Sequence, residues 1–165
     1  MLTTAELRTL LPRRYPILLL DRVSEVVPGE WLSAVKAITC NEPWYAEIGE
    51  SAVQEDFAYP ETLLLESWGQ SAAIMANLSA SGSRGWLDEY VMLFGGMSDV
   101  QVCRRAYPGD VVEHHVRVLR ALSDATIFEG SSSIDGEPVL TVSSMVMAFR
   151  PAAELRPTES AAVSS

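Results

Sequence analysis

An α+β domain, with a curved antiparallel sheet wrapped round one long central helix, is the fold the sequence predicts, and three observations predict it. From residue 62 to residue 83 the only charged side chain is Glu66, so this stretch is a helix apolar on nearly every side that other elements must surround. Downstream, residues 91–102, 111–121, 125–134 and 139–149 are rich in strand-forming side chains and are separated by turn sequences. Upstream, residues 23–27 and 31–39 flank Pro28-Gly29-Glu30, which is a hairpin signal.

The elements follow in order. Thr3-Thr4-Ala5-Glu6 has the spacing of a capping box, in which the Thr3 hydroxyl and the Glu6 carboxylate satisfy each other's backbone, so a short helix starts there and stops before Pro12. In the second hairpin strand Leu32, Ala34 and Lys36 share a face, but Trp31, Val35 and Ile38 break strict alternation and leave the register open. Residues 41–59 are acidic and interrupted by Pro43 and Gly49, the pattern of a long loop. Pro60 suits the first position of the central helix, expected to run to about Leu78. The later strands turn at Pro108-Gly109-Asp110, Leu122-Ser123-Asp124 and Asp135-Gly136-Glu137-Pro138, with a further break at 81–85.

Composition bounds the function. The 165 residues carry 12 Lys and Arg against 22 Asp and Glu, a net charge of −10, with 48% hydrophobic residues. That is one packed domain, residues 1–150, followed by a flexible tail of small and polar residues at 151–165. An acidic chain is poorly built to grip nucleic acid, whose recognition draws on clustered cations. Gln70, Asn77 and several serines in the apolar stretch argue for burial in protein and against a membrane span. Cys40 and Cys103 form no metal-binding spacing and are expected as buried, reduced thiols. The first residues show no basic start followed by an apolar run, so a cytoplasmic location is the expectation.

The run Leu11-Pro12-Arg13-Arg14-Tyr15-Pro16-Ile17-Leu18-Leu19-Leu20-Asp21-Arg22-Val23 resembles the opening motif of the hot-dog-fold 3-hydroxyacyl-[acyl-carrier-protein] dehydratases of the FabZ type. The likeness continues through Lys36, Asn41-Glu42-Pro43-Trp44-Tyr45, Pro60, Leu63-Leu64-Leu65-Glu66-Ser67-Trp68-Gly69-Gln70, Gly95-Gly96-Met97 and Pro108-Gly109-Asp110, and so covers roughly residues 10–149 in order. It implies a hot-dog fold, a dimer with sites shared between subunits, and a substrate carried on the phosphopantetheine of acyl carrier protein, with no other cofactor and no metal.

Removing water from a 3-hydroxyacyl thioester needs a base at the carbon next to the carbonyl, an acid for the departing hydroxyl, and N–H donors for the thioester oxygen. In the family these are a His in a Gly-His-Phe-Pro loop, a carboxyl on the central helix, and backbone at a Gly after the helix-opening Pro. The resemblance implies that Glu66 is the carboxyl and Gln70 its supporting amide. Residues 46–59 contain no His, and the 25 positions between Asn41 and Glu66 exceed the family's usual spacing, so this loop has been rebuilt. Glu61 stands where the family has Gly, leaving the Glu61 and Thr62 backbone as the oxyanion candidate. Asp56, near the helix start, is the local candidate for a substitute base. His114 and His115 are the only histidines. They are adjacent on a strand and face opposite ways, and both are expected in structural or solvent-facing roles. By the same resemblance Trp44, Tyr45 and Tyr59 border the acyl tunnel, while Arg104 and Arg105 are the candidate carrier-docking pair.

A chain with the carboxyl and without the imidazole points first to a dehydratase-type subunit of fatty-acid or polyketide synthesis that needs a related, His-bearing hot-dog partner. Two alternatives stand beside it: a non-catalytic partner subunit, which Glu61 and the rebuilt loop favour, and an acyl thioesterase in which an ionised Glu66 attacks the thioester or activates water.

Overall fold

The computed structural model describes residues 1–80 and 89–155. Its elements are α1 (Thr4–Leu10), β1 (Arg22–Val27), β2 (Trp31–Ala37), α2 (Glu61–Ala80), β3 (Tyr90–Val102), β4 (Val111–Ala121), β5 (Ala125–Ile134) and β6 (Glu137–Pro151). Short 3-10 turns form at Pro43–Tyr45, Gln54–Phe57 and Ala152–Leu155. The break expected at 81–85 and the tail beyond 155 lie outside the described residues.

Each end of α2 is fixed by a different device. At its start the Leu63 and Leu64 amides donate to the Pro60 carbonyl at 2.9 and 3.0 Å. Near its end the Ser79 hydroxyl accepts from the Gly29 amide at 3.0 Å, tying the helix to the first hairpin, where Gly29 takes φ +80°. Trp68, Ile74 and Met75 are fully buried between helix and sheet. Burying an aliphatic side chain of that size contributes about 1.5–3 kcal/mol.

The sheet is antiparallel, in the order β1-β2-β4-β5-β6-β3. Val112, His114 and Val116 of β4 are buried and alternate with exposed Val111, Glu113, His115 and Arg117, the period-two pattern of a sheet with one face on the core. The register of β2 is settled by that pairing: Leu32, Ala34 and Lys36 lie opposite Val116, His114 and Val112, all buried. Asp135 and Gly136, both at positive φ, make the two-residue turn between β5 and β6. β3 does not pair with its sequence neighbour β4. It joins the far side of β6, and its outer edge, with exposed Val91, Leu93 and Phe94, has no strand partner among the described residues.

One expectation is corrected, and the long loop expected at 41–59 is present with its ends anchored. Cys40 and Cys103 are exposed, because each follows the end of a strand at the rim of the sheet and neither lies within it. Residues 41–59 are less irregular than their composition suggests. Lys36 Nζ donates to the Glu42 carboxylate at 2.7 Å in a nearly buried ion pair, and the Tyr59 amide donates to the Ala106 carbonyl at 2.7 Å, so one end of this connection is tied to β2 and the other to the segment between β3 and β4. No helix among the described residues is long and apolar enough to cross a membrane.

One close approach gives a prediction. A Cβ added at Gly130 would lie 2.0 Å from the His115 carbonyl oxygen and 3.2 Å from the Trp68 ring. Gly130→Ala therefore has to part β4 from β5, with an expected cost of at least about 2 kcal/mol. A thermal melt indistinguishable from that of the parent would refute this close packing.

Candidate active site

Glu66 lies on the face of α2 turned toward Arg13 and the β3–β6 end of the sheet. Its side chain is 34% exposed and opens into a cavity of about 790 Å³. Leu65, Met92, Phe94, Met97, Met145 and Met147 contribute apolar walls to that cavity. Four of the six methionines in the chain are thus gathered in one place, which gives a deformable lining suited to flexible hydrocarbon.

Gln70 orients the carboxyl. Its Nε2 donates to Glu66 Oε1 at 3.0 Å and to the Ile17 carbonyl at 2.7 Å, while its Oε1 accepts from the Leu19 amide at 3.0 Å. A buried amide with its hydrogen bonds filled on both sides has one orientation. One turn earlier on the same helix, Glu66 inherits that orientation. Arg13 Nε also donates to Glu66 Oε1, at 3.2 Å. The sequence reading missed Arg13. Its signal was present in the Arg13-Arg14 pair, but nothing local indicates that this turn packs against the helix some fifty positions later.

The other expected site residues separate into groups. Thr62 lines the cavity and Glu61 is exposed beside it at the start of the helix. The Leu63 and Leu64 amides are taken by the Pro60 carbonyl, which leaves the Glu61 and Thr62 amides as the backbone donors of the first turn. Asp56 is exposed, and its carboxylate accepts from the Val53 amide at 2.9 Å, closing its own 3-10 turn away from the cavity lining. Trp44, Tyr45 and Tyr59 also lie outside that lining. They pack edge to face with one another, with Trp44 5.6 Å from Tyr59 and 6.5 Å from Tyr45, and join the core. Burial, reinforced by the nearby Glu42 carboxylate, pushes the Tyr45 phenol up to about 12 and the Tyr59 phenol up further, so both stay protonated. Arg104 and Arg105 are exposed on the connection after β3, apart from the cavity, and Arg104 donates to the Ile134 carbonyl.

Neither histidine reaches the carboxyl. His114 is 1% exposed and is held between Ser67 and Ser132, with Nε2 2.9 Å from the Ser67 hydroxyl and Nδ1 2.7 Å from the Ser132 hydroxyl. Because the Ser67 hydroxyl already donates to the Leu64 carbonyl, His114 Nε2 is the donor to it and Nδ1 accepts from Ser132. Burial, with a smaller push from Lys36, lowers the imidazole to about 3. His115 lies on the outer face of the sheet, against the Trp31 ring at 5.7 Å. Among the described residues no cluster of His, Cys, Asp and Glu is placed to hold a metal.

A family model described as a FabA-like domain matches residues 11–143, which include the Arg13 turn, all of α2 and β3 but not Met145 and Met147 of β6. The chain belongs to the FabA-like family. Among FabA-like relatives it is 36% identical over 128 residues to the 3-hydroxyacyl-[acyl-carrier-protein] dehydratase FabZ of Oleidesulfovibrio alaskensis, covering 78% of this chain and 79% of that one. The FabZ of Mannheimia succiniciproducens is 38% identical over 132 residues, covering 80% and 83%. Among solved structures, the dehydratase heterocomplex ApeI:P from Xenorhabdus doucetiae superposes with a TM-score of 0.72 at 16% identity, over 90% of this chain and 93% of that one. A mutant thioesterase from Pseudomonas aeruginosa gives 0.56 at 13% identity, over 79% and 81%. These structural likenesses carry the fold, an α+β hot-dog. Among the described residues, no imidazole lines the Glu66 cavity.

Proposed function

We propose that this chain is the carboxyl-bearing subunit of a dehydratase acting on 3-hydroxyacyl thioesters of acyl carrier protein, in cytoplasmic fatty-acid or polyketide synthesis, and that a related hot-dog subunit supplies the imidazole. The observation that carries the reading is Glu66, the one acid among the described residues lining the Met-rich cavity, oriented by Gln70, while both histidines are committed elsewhere. In the reaction the partner's imidazole takes the proton from the carbon beside the thioester carbonyl. The protonated Glu66 gives its proton to the departing hydroxyl, a carbon–carbon double bond forms, and water leaves. The Glu61 and Thr62 amides at the start of α2 donate to the thioester oxygen as charge develops on it.

The outer edge of β3, which has no strand partner among the described residues and lies beside the cavity, supports pairing with a second hot-dog chain. A dehydratase heterocomplex on this fold, the Xenorhabdus ApeI:P assembly, supplies an analogy of architecture. Arg104 and Arg105 remain the candidate docking pair for the acidic carrier, and the phosphopantetheine arm is the only organic group the reading requires.

The test is to assay the purified chain alone and with related His-bearing subunits on 3-hydroxyacyl carrier protein. Enoyl product formed only in the pair, and lost when either Glu66 or the partner's imidazole is replaced, supports the reading. Full activity with Glu66→Ala selects a non-catalytic subunit. The Arg13–Glu66 ion pair favours a second reading, a thioesterase with an ionised Glu66. Free acid released by the chain alone, and lost in Glu66→Gln, would select it.

A further inference from the structure

The Glu66 carboxyl receives two donors on one oxygen: Gln70 Nε2 and Arg13 Nε both meet Oε1, at 3.0 and 3.2 Å. Oε2 has no hydrogen-bond partner among the described residues. The two donors have a common base, because residues 13–19 supply Arg13 and also the Ile17 carbonyl and Leu19 amide that pin Gln70. Arg13 does not stand on a loose segment. Arg14 Nη1 donates to the Leu11 and Arg13 carbonyls at 2.7 Å each, and the Ile17 and Leu18 amides donate to the Arg14 carbonyl at 2.8 and 3.1 Å. The turn is closed on itself, and Arg14 is spent in closing it.

We propose that Arg13 is a positioning residue for Glu66. By occupying Oε1 together with Gln70 it holds the carboxyl in one orientation and leaves Oε2 as the oxygen offered to the substrate. The inference rests on the reading of Glu66 as the proton-transferring group. A guanidinium in contact with that carboxyl sits at the reacting end of the acyl chain. The phosphodiester of the carrier arm lies a full pantetheine length away, so phosphate recognition is not its task. Nor is stability, since the Arg13 side chain is 51% exposed and the pair is screened by solvent.

The experiment combines crystal structures of the parent, Arg13→Ala and Arg13→Lys at one pH with steady-state kinetics of the reconstituted pair. In Arg13→Ala, Glu66 is expected in a second rotamer, and kcat is expected to fall about 10- to 100-fold with KM within about twofold. Arg13→Lys should recover part of the loss, and all three melting temperatures should agree. An unmoved Glu66 in Arg13→Ala overturns the proposal. So does an unchanged kcat, or a raised KM at constant kcat, which would make Arg13 a substrate-binding group. If the parent shows no dehydration with any partner, the dehydratase reading fails by itself, and the rotamer of Glu66 alone decides the role of Arg13.

Discussion

Glu66→Gln is expected to abolish water loss by the reconstituted pair, lowering kcat by about 10²- to 10⁴-fold, the usual contribution of a positioned acid or base. Glutamine has nearly the same shape and still offers an oxygen to Gln70, so the cavity and the course of α2 are preserved. What it lacks is a proton to give at the pH of the assay. Stability should change little, because the Glu66 side chain is 34% exposed and its ion pair is at the surface. The measurement is conversion of 3-hydroxyacyl to enoyl carrier protein followed by mass spectrometry. A variant as fast as the parent would remove Glu66 from the chemistry and leave a structural subunit in its place.

The second large effect is acid lability arising from His114. Its imidazole is lowered to about 3 in the folded chain by burial and by Lys36, against about 6.5 in an unfolded chain. Above pH 6.5 both states are neutral at this site and stability does not depend on pH through it. Between pH 6.5 and about 3 the unfolded chain takes up a proton that the folded chain refuses, so stability falls as pH falls, by roughly 1.4 kcal/mol per unit once the unfolded imidazole is fully titrated. Between pH 7.5 and pH 5 this amounts to about 2 kcal/mol. Urea unfolding at the two pH values measures it. His114→Gln, whatever its own stability, should lose most of the difference between them. An equal difference in parent and variant would show that His114 is not its source. The window lies above the range in which Glu6 becomes protonated, whose carboxyl the Thr3 backbone and hydroxyl hold below its ordinary value.

Elements governed by local chemistry were legible in the sequence. Residues 111–121 and 125–134 are the strands observed, because alternation and turn residues bound them on both sides. The placement of β3 against β6 was not, since strand order is set by packing around α2 and no residue of 90–102 encodes its neighbour. The carboxyl and its amide could be read only through the family resemblance, their one-turn spacing agreeing with it, and the opposed faces of His114 and His115 from strand geometry. Arg13 and the Ser67–His114–Ser132 chain could not, because each joins segments some 18 to 53 positions apart through side chains whose direction only the folded backbone decides. Asp56 illustrates the converse. Proximity in sequence to the helix start suggested a role at the cavity, yet a three-residue spacing let its carboxylate close on the Val53 amide instead.

The connection between β2 and α2 is moored at two posts that belong to the sheet and its neighbouring segments: the Lys36–Glu42 pair at one end and the Ala106 carbonyl beneath Tyr59 at the other. Neither mooring depends on what residues 46–56 contain. That stretch is therefore an exchangeable cassette. Its length and chemistry can change while Pro60 keeps its height and α2 its bearing. Under the proposed function, one scaffold would thus host subunits with complementary halves of a catalytic pair.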